Sequence, residues 1–262
     1  MTLDLGDRDR PARQGGPGAT LISAHRGGAG LWPENSLTAF RGACELAVDS
    51  VELDVHPSAE GKIVVHHDAV LGRVVEGEGP LCTLPWEALA RLRFKDSPQE
   101  HMPLLEAVLA VLRPSPLRLR LEFKVGPDKR PYPGIVEAVH GQLARAGMLR
   151  RTIVSSFEPA YLETVAATDP TLHRLWLIRN GLLDEIGVDG VIAEAVALGV
   201  PEVDLRAERI RPEWPERFAA AGLQLGAYAA NQREVIARMF ELGVVMFTTD
   251  RPDLAVELRP MH

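Results

Sequence analysis

Apolar residues in this chain follow two rhythms that alternate along its length. Short apolar runs, read as strands, cover residues 20–24, 50–55, 117–123, 151–154, 172–178, 201–205, 223–228 and 244–248. Between them apolar positions recur every three or four residues, the period of a helix with one buried face. That period predicts helices over 35–47, 104–112, 134–146, 158–167, 189–198, 213–221, 232–241 and 252–259. In the first of these, Leu37, Phe40, Ala43, Cys44 and Ala47 share the apolar face, with Glu34 or Asn35 as the expected N-cap. Cys44 on that face reads as a buried, inert thiol.

Strands and helices alternating about eight times are what a closed α/β barrel, the (β/α)8 TIM barrel, requires. The alternation breaks once. Residues 62–66 form an apolar run just after the turn Glu60-Gly61, too soon for a crossover helix, so this run and the second strand read as a hairpin. Residues 69–97 are irregular, with Gly72, Gly77 and Gly79 and a short helix expected over 85–92. Together these predict a small insertion after the second strand, about 55–104, at the barrel mouth. An open doubly wound sheet is the alternative. Its usual dinucleotide turn is missing, because Gly27-Gly28-Ala29-Gly30 lacks the GxGxxG spacing and follows the charged pair His25-Arg26. Residues 1–19 are polar and rich in Gly, Pro, Asp and Arg. They read as a disordered lead-in without the apolar core of a signal peptide, which leaves 20–262 as one barrel domain.

Composition then removes whole classes of function. A formal charge of −7 weighs against nucleic acid as a partner. No apolar stretch is long enough for stable membrane insertion. Two cysteines without CxxC spacing make neither a metal site nor a disulfide scaffold, so a reducing cytoplasm is the expected location. The negative balance still permits a small anionic substrate, since a local cationic site can outweigh it. The pattern specifies no oligomeric state.

Chemistry in such a barrel sits at the carboxyl ends of the strands. Those ends offer His25 and Arg26, Glu52 and Asp54, Glu122 and Lys124, Ser155 and Ser156, Asp204, Tyr228 and Asn231, and Thr249 and Asp250. Glu52 and Asp54 are two apart on a strand and so share a face, with Leu53 and Val55 on the other. Carboxylates crowded into a barrel need a cation or a proton. With Glu122 they make an all-oxygen set suited to Mg²⁺ or Ca²⁺. The competing reading pairs Glu52 or Asp54 with Arg26 or Lys124 in a purely structural network. His25 and His67 are candidates for proton transfer, since imidazole titrates near neutrality. His66 and His67 face opposite ways on an extended run, and spacing leaves open which of them reaches the mouth. Asn35 could cap the helix and also orient a catalytic side chain. Ser155-Ser156 suggests either a phosphate- or hydroxyl-binding loop or a plain connection.

Taken in order, these motifs resemble the glycerophosphodiester phosphodiesterase family. The resemblance rests on Ala24-His25-Arg26-Gly27, Pro33-Glu34-Asn35-Ser36-Leu37-Thr38-Ala39-Phe40 and Val51-Glu52-Leu53-Asp54-Val55. It continues through His67-Asp68, Leu71-Gly72-Arg73, Met102-Pro103-Leu104-Leu105-Glu106, Leu121-Glu122-Phe123-Lys124, Ser155-Ser156-Phe157 and Thr249-Asp250-Arg251-Pro252. It spans about residues 20–258 and implies a TIM barrel that hydrolyses glycerophosphodiesters to an alcohol and glycerol 3-phosphate, placing the chain in lipid and glycerol metabolism. The resemblance implies Glu52, Asp54 and Glu122 as ligands of a divalent cation, Mg²⁺ or Ca²⁺. It implies His25 and His67 as the acid–base pair, in preference to His66. By the same resemblance Arg26 and Lys124 match the family's cations, expected on the phosphate, and Glu34, Asn35, Ser156 and Tyr228 are taken from their positions as further substrate- or phosphate-binding candidates. The family's usual route is attack by the neighbouring glycerol hydroxyl, giving a cyclic phosphate that water then opens.

The last third departs from the family pattern. A Trp-Thr-Val-Asn run is usual where this chain has Tyr228-Ala229-Ala230-Asn231, and Gly-Val-Asp-Gly where it has Gly243-Val244-Val245-Met246. The first change gives the aromatic wall a phenol. Two other functions stand beside the hydrolase: a phospholipase-type lyase that stops at the cyclic phosphate, and a barrel that binds a phosphoester without turnover.

Overall fold

A computed structural model describes residues 20–260. The expected 1–19 lead-in lies outside that range. Eight parallel strands close into a barrel: β1 (Leu21–Ala24), β2 (Ser50–Pro57), β6 (Arg118–Phe123), β7 (Thr152–Ser156), β8 (His173–Leu177), β9 (Glu202–Arg206), β10 (Gln224–Tyr228) and β11 (Met246–Thr249). The ring order is β1-β11-β10-β9-β8-β7-β6-β2, and β2 meets β1 again to shut it. The TIM-barrel expectation holds. The remaining strands are β3 (Ile63–Val65), antiparallel to β2, and the small pair β4 (Arg93–Phe94) and β5 (Ser97–His101).

The helices are α1 (Leu37–Glu45), α2 (Trp86–Leu89), α3 (Leu105–Leu112), α4 (Ile135–Ala146), α5 (Pro159–Thr168), α6 (Asn180–Leu198), α7 (Trp214–Ala220), α8 (Arg233–Leu242) and α9 (Pro252–Leu258). Two differ from the pattern in an instructive way. α1 is capped by Ser36, whose Oγ accepts from the Ala39 N–H, and not by Glu34 or Asn35. α6 starts nine residues earlier than the periodicity predicts, because Gly187, at φ 66°, bends it and resets the apolar phase. Cys44 is half-buried on α1, and burial pushes its thiol up.

Strand alternation sorts the core into two layers. Val51, Leu53 and Val55 of β2 face outward into the main apolar core beneath the helices. Ser50, Glu52, Asp54 and His56 face into the barrel. Part of the interior is apolar, with Ile153, Leu175, Leu177 and Met246 in one cluster. β9, opposite β2 in the ring, brings the buried carboxylates Glu202 and Asp204 inside as well.

The strand seams are uneven. β1 and β11 pair at four positions, from Leu21 with Met246 to Ala24 with Thr249. β1 pairs with β2 only at Ser23–Ser50 and Ala24–Val51, and β10 with β11 only at Ala227–Phe247. Between β3 and α3 the chain folds over its own small apolar cluster, Val64, Leu71, Val75, Leu81, Leu89, Phe94 and Met102. A hydrogen bond from Thr38 to Glu100 ties this segment to α1.

Candidate active site

At the carboxyl ends of the strands lies a cavity of about 430 Å³. Its lining includes His25, Arg26, Glu52, His67, Arg120, Glu122, Lys124, Ser155, Phe157 and Tyr228.

His25 and Arg26 begin a single tight turn after β1. Arg26 sits at φ 51°, in the left-handed region that L-residues avoid, and Gly27 follows at φ 81°. A Cβ on Gly27 would lie 2.7 Å from that of Ala39, so only glycine lets the turn press against α1. The turn aims the Arg26 N–H at Glu52 Oε2 (2.9 Å) and its guanidinium at Glu34 (3.1 Å). Its Nε lies 3.5 Å from Asp54.

Both histidines hold a carboxylate through Nδ1. His25 Nδ1 is 2.6 Å from Asp250 Oδ1, and His67 Nδ1 is 2.7 Å from Asp68 Oδ1. A carboxylate only accepts, so each Nδ1 carries a proton and each Nε2 is left free to take or give one. Burial pushes His25 down, but the hydrogen bond to Asp250 and the nearby Glu52 charge outweigh it and leave its pKa raised. His67 is lowered, with burial prevailing over the attraction of Asp54. His66 is fully buried, is pushed down to about 4 by burial, and does not line the cavity.

Glu52, Asp54 and Glu122 are all buried, and one carboxylate oxygen from each lies within 4.8 Å of the others. Lys124 Nζ is 2.6 Å from Glu122 and 3.0 Å from Asp54. Asn35, at φ 59°, donates to Asp54 Oδ2 at 2.8 Å, so it orients a carboxylate and does not cap α1. The pairing with Arg26 and Lys124 is thus present, but it leaves the cluster incompletely neutralised. Glu52 receives only the Arg26 N–H and a distant His25, and burial and the Asp54 charge push it up to about 7. Three carboxylates against two cations leave one negative charge, and an all-oxygen set of this size suits a hard divalent ion. These residues fit such a cofactor.

Other expected residues take different places. Ser156 Oγ donates to the Phe123 carbonyl (2.9 Å) and accepts from the Glu158 N–H (3.0 Å), while Ser155 lines the cavity. The Tyr228 hydroxyl donates to the Ile178 carbonyl at 2.6 Å, so the phenol is anchored to backbone and its ring meets Phe157 edge-on at 5.4 Å. Burial pushes that phenol up to about 12. Glu34 is gripped by Arg26 and by Arg73 from the inserted segment. Asp204 is not at the mouth. It is fully buried lower in the barrel, 2.5 Å from Arg120 Nη2, because β9 runs on to Arg206. Burial raises Asp204 to about 6 despite Arg120. A Cβ on Gly226, its neighbour in register on β10, would collide with its carboxylate.

Several residues of the site do more than the sequence pattern assigned. Asp250, already offered as a strand-end residue, and Asp68 and Arg73, which stood only inside the motifs His67-Asp68 and Leu71-Gly72-Arg73, act on other side chains, a role the pattern did not give them. Arg120 had a signal in the alternation Arg118-Leu119-Arg120-Leu121-Glu122, which puts a cation on the same face as Glu122.

Comparison with known proteins agrees with this geometry. Residues 25–254 match the model of the Glycerophosphoryl diester phosphodiesterase family. A glycerophosphodiester phosphodiesterase of Caldanaerobacter subterraneus is 30% identical, over 91% of this chain and 97% of that protein. A putative glycerophosphoryl diester phosphodiesterase of Agrobacterium tumefaciens has a crystal structure that superposes with a TM-score of 0.89 at 34% identity, covering 92% of this chain and 97% of that one. A phosphodiesterase of Oleispira antarctica, solved with the product sn-glycerol-3-phosphate, shares the fold at 21% identity and a TM-score of 0.76, over 92% of this chain and 96% of that one. Among the described residues, no helix is long and apolar enough to cross a membrane. The chain belongs to the glycerophosphoryl diester phosphodiesterase family of enzymes.

Proposed function

We propose that this protein hydrolyses glycerophosphodiesters to an alcohol and glycerol 3-phosphate, by histidine acid–base catalysis at the cavity described above. One observation carries the reading: two histidines, each fixed through Nδ1 by its own carboxylate, lie on a cavity that also holds Arg26, Lys124 and a buried three-carboxylate cluster.

Asp250 and Asp68 hold their imidazoles in one tautomer and direct each Nε2 toward bound ester. One histidine takes the proton from the glycerol hydroxyl next to the ester as that oxygen attacks phosphorus. The other gives a proton to the departing alcohol. In the second step the roles exchange, and water opens the cyclic phosphate. Arg26 and Lys124 balance charge on the phosphoryl oxygens. Glu52, Asp54 and Glu122 would hold Mg²⁺ or Ca²⁺, which when bound supplies Lewis-acid stabilisation of phosphoryl charge. Phe157 and Tyr228 form an aromatic part of the cavity wall.

A phosphorus NMR time course on glycerophosphocholine tests this, run with Mg²⁺ or Ca²⁺ and with an EDTA control. The expected outcome is a metal-dependent glycerol 3-phosphate signal. Accumulating cyclic phosphate would replace the hydrolase with a lyase. Full activity in protein shown to be metal-free would refute the cofactor. No turnover of this or of other glycerophosphodiesters would leave a binding protein.

A further inference from the structure

His56 is the last inward-facing residue of β2, two positions past Asp54, and the chemistry above makes no use of it. It is fully buried, yet both ring nitrogens are engaged. Nε2 lies 3.1 Å from the backbone carbonyl oxygen of His67, and Nδ1 lies 3.0 Å from the Tyr132 hydroxyl. The carbonyl can only accept, so Nε2 carries the proton. Nδ1 is then bare, and the Tyr132 hydroxyl must donate to it. In the neutral ring this one tautomer satisfies both nitrogens.

The chain of bonds continues. The Tyr132 N–H donates to the Tyr161 hydroxyl at 2.7 Å, and that hydroxyl donates to the Lys124 backbone carbonyl at 3.0 Å. Tyr161 is buried on α5 and stacked on Phe123, with ring centres 5.3 Å apart. Tyr132 meets His56 edge-on at 5.6 Å. Two backbone carbonyls at the cavity are thus joined through three side chains that lie on β2, in the loop between β6 and α4, and on α5.

His67 needs such a tether. It follows the three-residue strand β3, and its own side chain is tied only to Asp68 in the same loop. An apolar residue at position 56 would leave the His67 carbonyl without this partner and His67 without a bond to the barrel at that atom. We propose that His56, Tyr132 and Tyr161 are positioning residues that fix the backbones of His67 and Lys124, and through them the spacing of imidazole and ammonium across the cavity. This rests on the reading that His67 and Lys124 act on the substrate.

The test combines kinetics on glycerophosphocholine with nitrogen-15 NMR of the His56 ring in the full chain. Wild-type His56 should show a protonated Nε2 and a bare Nδ1. His56→Leu should lower kcat by about 10–100-fold with little change in KM. His56→Gln, whose amide can still donate to the His67 carbonyl, should recover most of that loss. Tyr161→Phe, which releases Lys124, should act mainly on KM. A purely structural role would lower Tm without this kcat–KM division and without rescue by Gln. If His56→Leu fails to fold, Tyr132→Phe decides, through a changed Nδ1 signal and a several-fold lower kcat. A proton on Nδ1 in the wild type, or unchanged kinetics in Tyr132→Phe and Tyr161→Phe, would overturn the proposal. Activity retained in His67→Ala would instead overturn the reading of the site, and the ring NMR would still report on the tether.

Discussion

Single side chains here do work that depends on one partner each. In the proposed mechanism, His25 and His67 serve proton transfer only while Asp250 and Asp68 hold their Nδ1 protons. Replacing either histidine by Ala should reduce turnover by a factor on the order of 10²–10⁴, with unfolding curves like the wild type; near-full activity in either variant would remove it from the mechanism. Arg120 and Asp204 are bound to each other more strictly, since both side chains are fully buried, Arg120 in the wall of the cavity. Arg120→Met alone should destabilise the protein by about 3–5 kcal/mol by leaving a buried carboxyl unpaired, while Arg120→Met with Asp204→Leu should recover much of it. Urea unfolding of the three proteins measures the difference, and a mild single variant would show the pair to be dispensable. Strand alternation made Glu52, Asp54 and Glu122 legible because carboxylates two apart must share a face. It could not reveal Asp204 as a partner of Arg120, since their meeting depends on the shear of the barrel and on the missing side chain of Gly226.

At the scale of elements, the inserted segment is joined to the barrel mouth by Arg73. Its guanidinium bonds Glu34, beside the β1 turn, and Asp68, beside His67. Burial raises both carboxyls, but hydrogen bonds (from Arg73 to Glu34, and from His67 and Arg73 to Asp68) outweigh it, so both pKa values are lowered. A lowered carboxyl stabilises the fold fully above its unfolded value, roughly pH 4, and that stability is lost as pH falls through the lower folded value. Arg73→Ala should therefore lower Tm most near neutrality, by the equivalent of about 1 kcal/mol or less because Arg73 is largely solvent-exposed. The gap should close toward pH 3, and thermal melts across that range check it; a gap that widens on acidification would contradict the sign. The alternation of strand and helix announced nearly every barrel element. The inserted strands β4 and β5 escaped it because they are short and mostly exposed, and so lack an apolar rhythm. The helix starting at Asn180 was hidden by the bend at Gly187, which divides one apolar stripe into two that are out of phase.

For the whole molecule, a net charge of −7 coexists with a cavity lined by the cations Arg26, Lys124 and Arg120. The outer apolar core supplies the cohesion that lets so many charged groups stand inside the barrel. Closure of the ring is where the architecture is thinnest. β1 and β11 share four paired positions, while in register they meet β2 at two and β10 at one, with added backbone bonds of Val245 to Leu225, Ala230 to Thr248 and Asp49 to Ile22. Their mutual pairing makes them a two-strand stave of the ring. His25 leaves one strand of that stave and Asp250 the other, so thermal breathing of the barrel carries donor and acceptor together. Amide exchange should find β1 and β11 opening as one unit, ahead of β2 and β6, which are paired at six positions. In a cylinder that flexes, the His25–Asp250 bond would move with a pair of strands that travel together.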